Sequence, residues 1–129
     1  MSKILLVDDD PELLELYSDV LELMGHTVLR AHDGREALVL ARRGSPDLVV
    51  TDWMMPEMNG VELCEALARA EELQHIPVIM QSASGNPHSP HVRVFLPKGS
   101  NLEWFEEVVT RELTNASRTP PLHNVCQAA

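Results

Sequence analysis

Lys3-Ile4-Leu5-Leu6-Val7-Asp8-Asp9-Asp10-Pro11 is the stretch that decides the fold. Its first five residues form an apolar run of the kind that suits a strand buried on both faces. Asp10-Pro11 then makes a good helix start, with aspartate as cap and proline at the first helical position. Leu13, Leu14, Tyr17, Leu21 and Met24 recur at helical spacing behind it, and Gly25 closes the pattern. A buried strand followed at once by an amphipathic helix is the first half of a βα unit.

The same alternation continues outward. Thr27 to Ala31 reads as a second strand. Asp33 and Glu36 stand at capping-box spacing before a helix through Ala37, Leu38 and Ala41, which Gly44 closes. A third strand, Asp47 to Thr51, ends at Asp52. The turn-rich loop Met54 to Gly60 leads into a helix carrying Val61, Cys64, Leu67 and Ala70. Pro77 to Gln81 and Val92 to Leu96 read as strands four and five. Ser100 and Glu103 form a second capping-box pair before a helix with the stripe Leu102, Phe105, Val109 and Leu113. Strands alternating with helices imply an α/β fold with a parallel sheet and helices on both faces. Residues 1–116 make one domain. From Ser117 the chain is polar, contains Pro120-Pro121 and lacks periodicity, so residues 117–129 read as a flexible tail.

One connection breaks the pattern. Ala83 to His91 holds two prolines, a glycine and no apolar stripe. A parallel crossover commonly takes a dozen residues or more. Nine extended residues still reach about 30 Å. The helix between strands four and five is therefore expected to be missing or reduced to a turn. That would leave one face of these strands thinly covered, a place for a second copy or a docking partner.

Of the 129 residues, 44% are apolar, and acidic residues outnumber basic ones 20 to 10. A net charge of −10 argues against direct nucleic-acid binding, which needs a basic footprint. No stretch resembles a signal peptide or a membrane span. Cys64 and Cys126 suggest no disulfide framework, and a reducing cytoplasm is the expected compartment.

Ligands of open parallel sheets bind beyond the carboxyl ends of the strands. Those ends carry Asp8-Asp9-Asp10, Asp52, Gln81-Ser82 and Pro97-Lys98. Each has a plain reading by itself: helix cap, turn former, loop serine, solvated lysine. Their joint placement on one rim changes that. Crowded carboxylates repel, and a hard cation such as Mg²⁺ relieves them. A carboxylate can then act as nucleophile toward phosphorus, with a lysine charge on the phosphoryl oxygens. His88 and His91 lack the further ligands of a zinc site and read as loop histidines. Met54, Met55 and Met58 read as packing under a loop.

At Leu5-Leu6-Val7-Asp8-Asp9-Asp10-Pro11, Asp52-Trp53-Met54-Met55-Pro56 with Asn59-Gly60, Ser82-Ala83 and Pro97-Lys98, the chain resembles the receiver domain of bacterial two-component response regulators. The match spans about residues 3–116. The resemblance implies a flavodoxin-like, doubly wound sheet of five parallel strands in the order 2-1-3-4-5. It makes Asp52 the phosphoacceptor, served by a sensor histidine kinase or a histidine phosphotransfer protein. It assigns Mg²⁺ (or Mn²⁺) to Asp8, Asp9, Asp52 and the Met54 backbone carbonyl. Lys98 becomes the phosphate-contacting lysine, and Ser82 and Phe95 the switch pair. It further implies Mg²⁺-dependent self-phosphorylation and slow autodephosphorylation rather than enzymatic turnover. Met54 and Ser84 flank the place of a hydrolytic water.

Three features depart from the family pattern. Gly99 replaces the usual proline after the lysine, so a trans peptide is expected there. Gln81 stands where a small or apolar residue is commoner. The third departure is the shortened segment before strand five, which usually supplies a helix of the signalling surface. Rival functions fit less well. An aspartate-dependent phosphohydrolase carries Asp-x-Asp, whereas Asp52 is followed by Trp53 and Met54. A nucleotide-binding domain would show a glycine-rich loop after strand one. The intact acidic pair, Asp52 and Lys98 favour a phosphorylated receiver over a receiver-like module that is never phosphorylated.

Overall fold

The computed structural model describes residues 2–83 and 85–118. Its elements alternate as read: β1 (Lys3–Val7), α1 (Pro11–Leu23), β2 (Thr27–Ala31), α2 (Gly34–Gly44), β3 (Leu48–Asp52), α3 (Gly60–Arg69), β4 (Val78–Ser82), β5 (Val94–Pro97) and α4 (Leu102–Arg118). All strand pairs are parallel, in the order β2-β1-β3-β4-β5. This is the flavodoxin-like arrangement.

Local chemistry sets the helix starts. Asp10 accepts from the N–H groups of Glu12 and Leu13, with Pro11 behind it. Asp33 accepts from the Glu36 N–H at 2.8 Å. The Glu36 carboxylate reaches beyond Asp33 to the His32 N–H. Asn59 and Glu62 form a complete capping box for α3. At α4 the expected pair Ser100–Glu103 is not the cap. Asn101 accepts from the Trp104 N–H at 2.7 Å, while the Ser100 hydroxyl donates to the Pro97 carbonyl. Gly25, at φ +97, ends α1 as expected. The left-handed position closing α2 belongs to Ser45 rather than Gly44.

The sheet divides the core in two. Ile4, Leu6, Leu48, Val50, Ile79 and Leu96 face α1 and α4. Tyr17 and Phe105 meet there with ring centroids 4.9 Å apart. Leu5, Val7, Val49, Val78 and Met80 face α2 and α3. Two expectations for the α4 stripe change. Leu102 is exposed in the first turn, whereas Val108 is fully buried.

The first two strands keep their expected bounds, whereas β3, β4 and β5 sit one or two residues closer to the carboxyl rim than the apolar runs suggest. Val92 shows why: its N–H closes a turn on the Ser89 carbonyl instead of joining the ladder. Strand four connects to strand five with a turn at residues 90 and 91 and no helix among the described residues of 83–93. The sequence expectation holds there. At the other end α4 runs to Arg118, two residues into the expected tail. Nothing breaks a helix before Pro120, whose ring disfavours helical backbone in the preceding residue. Residues 119–129, with Cys126, lie outside the described residues, as does Ser84.

Phe105 is 1% exposed and joins both helices of its layer, whereas Leu23 is 88% exposed. Urea unfolding of Phe105→Ala should show a loss of about 3–5 kcal/mol. Leu23→Ala should stay within about 0.5 kcal/mol of the parent.

Candidate functional site

Alternation along a strand puts every second side chain on one face. Asp52 falls in step with Leu48 and Val50, on the α1/α4 side of the sheet. Asp8 keeps the same step in β1, its N–H still bonded to the Ala31 carbonyl at 3.1 Å. Lys98 follows β5 in the same way, with its N–H on the Ser82 carbonyl at 3.0 Å. The Lys98–Gly99 peptide is trans, as expected. Gly99 takes φ +88 in the turn that closes from the Ser100 N–H to the Pro97 carbonyl, a conformation no proline could adopt.

These placements converge on one ammonium. Lys98 Nζ lies 3.0 Å from Asp8 Oδ2 and 3.2 Å from Asp52 Oδ2. Asp8 Oδ1 accepts from the Asp10 N–H at 2.9 Å, and Asp52 Oδ1 from the Trp53 N–H at 2.8 Å. Asp8 and Asp52 are buried and Asp9 is exposed. Asp8, Asp9 and Asp52 each bring one carboxylate oxygen within 4.8 Å of the others. Three carboxylates and one ammonium leave two negative charges. An all-oxygen set with that charge suits a hard divalent ion such as Mg²⁺ or Mn²⁺. Among the described residues no other three His, Cys, Asp or Glu side chains gather this way. His88 and His91 are exposed in their loop.

Burial raises the Asp52 carboxyl above its ordinary value; Lys98 opposes this and the Asp8 charge adds to it. Burial alone would lower Lys98, but its contacts with Asp8 and Asp52 outweigh that and raise it. The ammonium is therefore held charged where it stands.

The remaining expected residues take definite places. Ser82 ends β4, buried, opposite Pro97 in register. Gln81, also buried, is the residue level with Asp52. Phe95 is half-buried on β5, opposite Met80. Met55 is buried and Met58 packs against the α2/α3 core. Met54 is instead 55% exposed, so the packing expected of it is not found.

Sequence reasoning did not foresee how closely two glycines, Gly60 and Gly34, are approached. A Cβ on Gly60 would lie 2.2 Å from the Asp52 carbonyl oxygen, and its N–H donates to the Trp53 carbonyl at 2.7 Å. Gly34 presses on Met58 in a similar way. The Asn59-Gly60-x-Glu62 spacing carried a signal for the cap of α3, but none for these close approaches.

Residues 4–98 match the response regulator receiver domain. The chain belongs to the response-regulator receiver family. Over 85 residues this receiver is 41% identical to the DNA-binding dual master transcriptional regulator RpaA of Synechocystis, covering 66% of this chain and 35% of that protein. The chain thus spans about a third of that relative. It is 42% identical over 84 residues to the polar-differentiation response regulator DivK of Brucella ovis, covering 64% and 68%. The response regulator TrrA of Thermotoga maritima, solved in complex with Mg²⁺-BeF, aligns at a TM-score of 0.79 and 28% identity, covering 87% of this chain and 99% of that one. Receivers are signalling switches rather than turnover enzymes. Among the described residues no helix is long and apolar enough to cross a membrane.

A carboxyl raised on folding opposes stability once it ionises. The native state holds its proton longer, so stability falls as pH rises through and above 3.8, the ordinary value for Asp52. Asp52→Asn should therefore be more stable than the parent at neutral pH. In urea melts without divalent ions, that gain should vanish below the carboxylate range.

Proposed function

We propose that Asp52 accepts a phosphoryl group from a sensor histidine kinase or a histidine phosphotransfer protein, making this receiver a phosphorylation switch of a two-component relay in the cytoplasm. One observation carries the reading: a single lysine nitrogen bridges two buried aspartates, with a third carboxylate beside them. In the reaction a carboxylate oxygen of Asp52 forms a bond to phosphorus. The bond from phosphorus to the donor breaks, and the donor leaves with that electron pair. The product is an acyl phosphate on Asp52.

Asp8, Asp9, Asp52 and the Met54 carbonyl would hold Mg²⁺, which offsets the negative charge shared between the carboxylates and the phosphoryl oxygens. That a related regulator was solved with Mg²⁺-BeF supports the assignment. Lys98, already charged and 3.2 Å from Asp52, moves onto a phosphoryl oxygen without a large change of place. The Trp53 N–H keeps the acceptor oriented. Ser82 hydrogen-bonds the transferred group, and Phe95 turns inward as the Ser82 segment follows. Such contacts exist only after phosphorylation, so they shift the population toward the signalling state. The acyl phosphate then hydrolyses slowly at the same site.

Incubation with acetyl phosphate and Mg²⁺ should add the mass of one phosphoryl group to the intact chain. Asp52→Asn should add none, and chelating Mg²⁺ should prevent the gain. Lys98→Ala should slow uptake by about 100-fold. Ser82→Ala should still gain the mass while losing the conformational response, read as a change in Trp53 fluorescence. An unmodified parent chain, or full uptake by Asp52→Asn, would overturn the reading.

A further inference from the structure

We propose that Gly34, in the first turn of α2, is a positioning residue for the loop of residues 53–59, and through that loop for Mg²⁺ and the phosphoryl group. The inference rests on the role given to Asp52 above. It starts from a contact that crosses between two chain segments. A Cβ on Gly34 would lie 2.6 Å from the Met58 carbonyl oxygen and 2.8 Å from Met58 Cβ and Cγ. Part of what it would strike is backbone, which cannot swing aside as a side-chain tip does. Only glycine lets the helix start and the loop touch this closely.

The two surfaces in contact differ in firmness. Asp33 caps the start of α2, and Glu36 reaches back to the His32 N–H, so this turn is tied at both ends. The loop is held by short local bonds, mostly at its two ends. Met58 N–H donates to the Pro56 carbonyl at 2.8 Å, and Gly60 N–H to the Trp53 carbonyl. Glu57 sits at φ +69, a left-handed conformation that a glutamate rarely adopts, so the loop is not at rest by its own preference. Arg35 and Glu57 pair across the same boundary at 3.7 Å, both well exposed. The firm helix start thus braces the loop from below. Met54, whose carbonyl would help hold the ion in the proposed site, lies four residues before Met58. A shift of Met58 is therefore transmitted toward the ion through a short, turned segment.

Gly44 supplies the matched control. It belongs to the same helix, and a Cβ there would lie 2.6 Å from Leu29 Cδ1, the end of a flexible side chain. Its other near neighbour is Lys3, at the amino-terminal end of β1 and far along the strand from Asp8. A role in packing alone would cost stability at each glycine, more at Gly34, and leave the Mg²⁺ midpoint parental at both. A positioning role separates them.

The test uses the full chain carrying Trp104→Phe, which leaves Trp53 as its one tryptophan. Mg²⁺ is titrated against Trp53 fluorescence, amide exchange is read over residues 53–60, and urea melts establish that each variant is folded. Gly34→Ala should raise the Mg²⁺ midpoint by about 10-fold, the usual effect of disturbing a group behind a metal ligand. Exchange over 53–60 should quicken, and phosphoryl uptake from acetyl phosphate should fall in parallel. Gly44→Ala should stay within about twofold of the parent in all three, as expected of a remote site. Met58→Ala, which removes part of the contact from the other side without straining the helix, should raise the Mg²⁺ midpoint by about threefold. A folded Gly34→Ala with a parental midpoint, or equal shifts at Gly34 and Gly44, overturns the proposal. Should Gly34→Ala not fold, an unchanged midpoint in Met58→Ala overturns it instead. A parent that binds Mg²⁺ but gains no phosphoryl mass overturns the phosphoacceptor reading alone, because the Mg²⁺ midpoints still decide the role of Gly34.

Discussion

Lys98 Nζ touches the carboxylates that follow β1 and end β3, so one ammonium closes a rim built from three strands of the sheet. The rest of the site depends on that bridge. Two buried carboxylates this close would otherwise repel, and one would have to hold a proton. The bridge in turn depends on parallel register. Only when all strands run the same way do their carboxyl ends share an edge, and only then do residues 8, 52 and 98 become neighbours. Gly99 completes the arrangement by letting the chain turn immediately after Lys98 on its way to α4.

The alternation of elements was legible because a parallel sheet covered on both sides demands unbroken apolar runs, and each helix shows its apolar stripe. The ends of elements were less so. Val92 belongs to an apolar run, but its backbone N–H goes to Ser89, and side-chain chemistry carries no record of that choice. Ser100 and Asn101 are both good caps, and their order is settled by the turn after Lys98, which draws the Ser100 hydroxyl onto Pro97. The charged members of the site could be read because each stands at the end of a strand. Gly34 and Gly60 could not. Each is defined by the backbone of a segment elsewhere in the chain, and one sequence does not show what approaches a glycine.

Function and stability pull against each other here. Asp52 is buried with its carboxyl raised, which opposes folding at neutral pH but leaves a charge that readily takes an ion or a phosphoryl group. The two core layers offset that cost without contributing to the chemistry. A third buried acid, Glu112 on α4, meets Arg93 at 3.8 Å, and its Oε1 lacks a hydrogen-bond partner among the described residues. This pair fastens α4 to the entry of β5 at the end of the sheet away from Lys98.

The missing crossover helix has a consequence for solubility. β5 is the border of the sheet and has no helical neighbour arising from its own connection. A bare border strand is an open template on which other chains can aggregate. This one is only four residues long, ends in Pro97, and is preceded by the exposed charge of Arg93. Few free peptide groups remain in line for a stranger to zip onto. Shortness, a proline and a cation thus guard the border that the absent helix leaves bare.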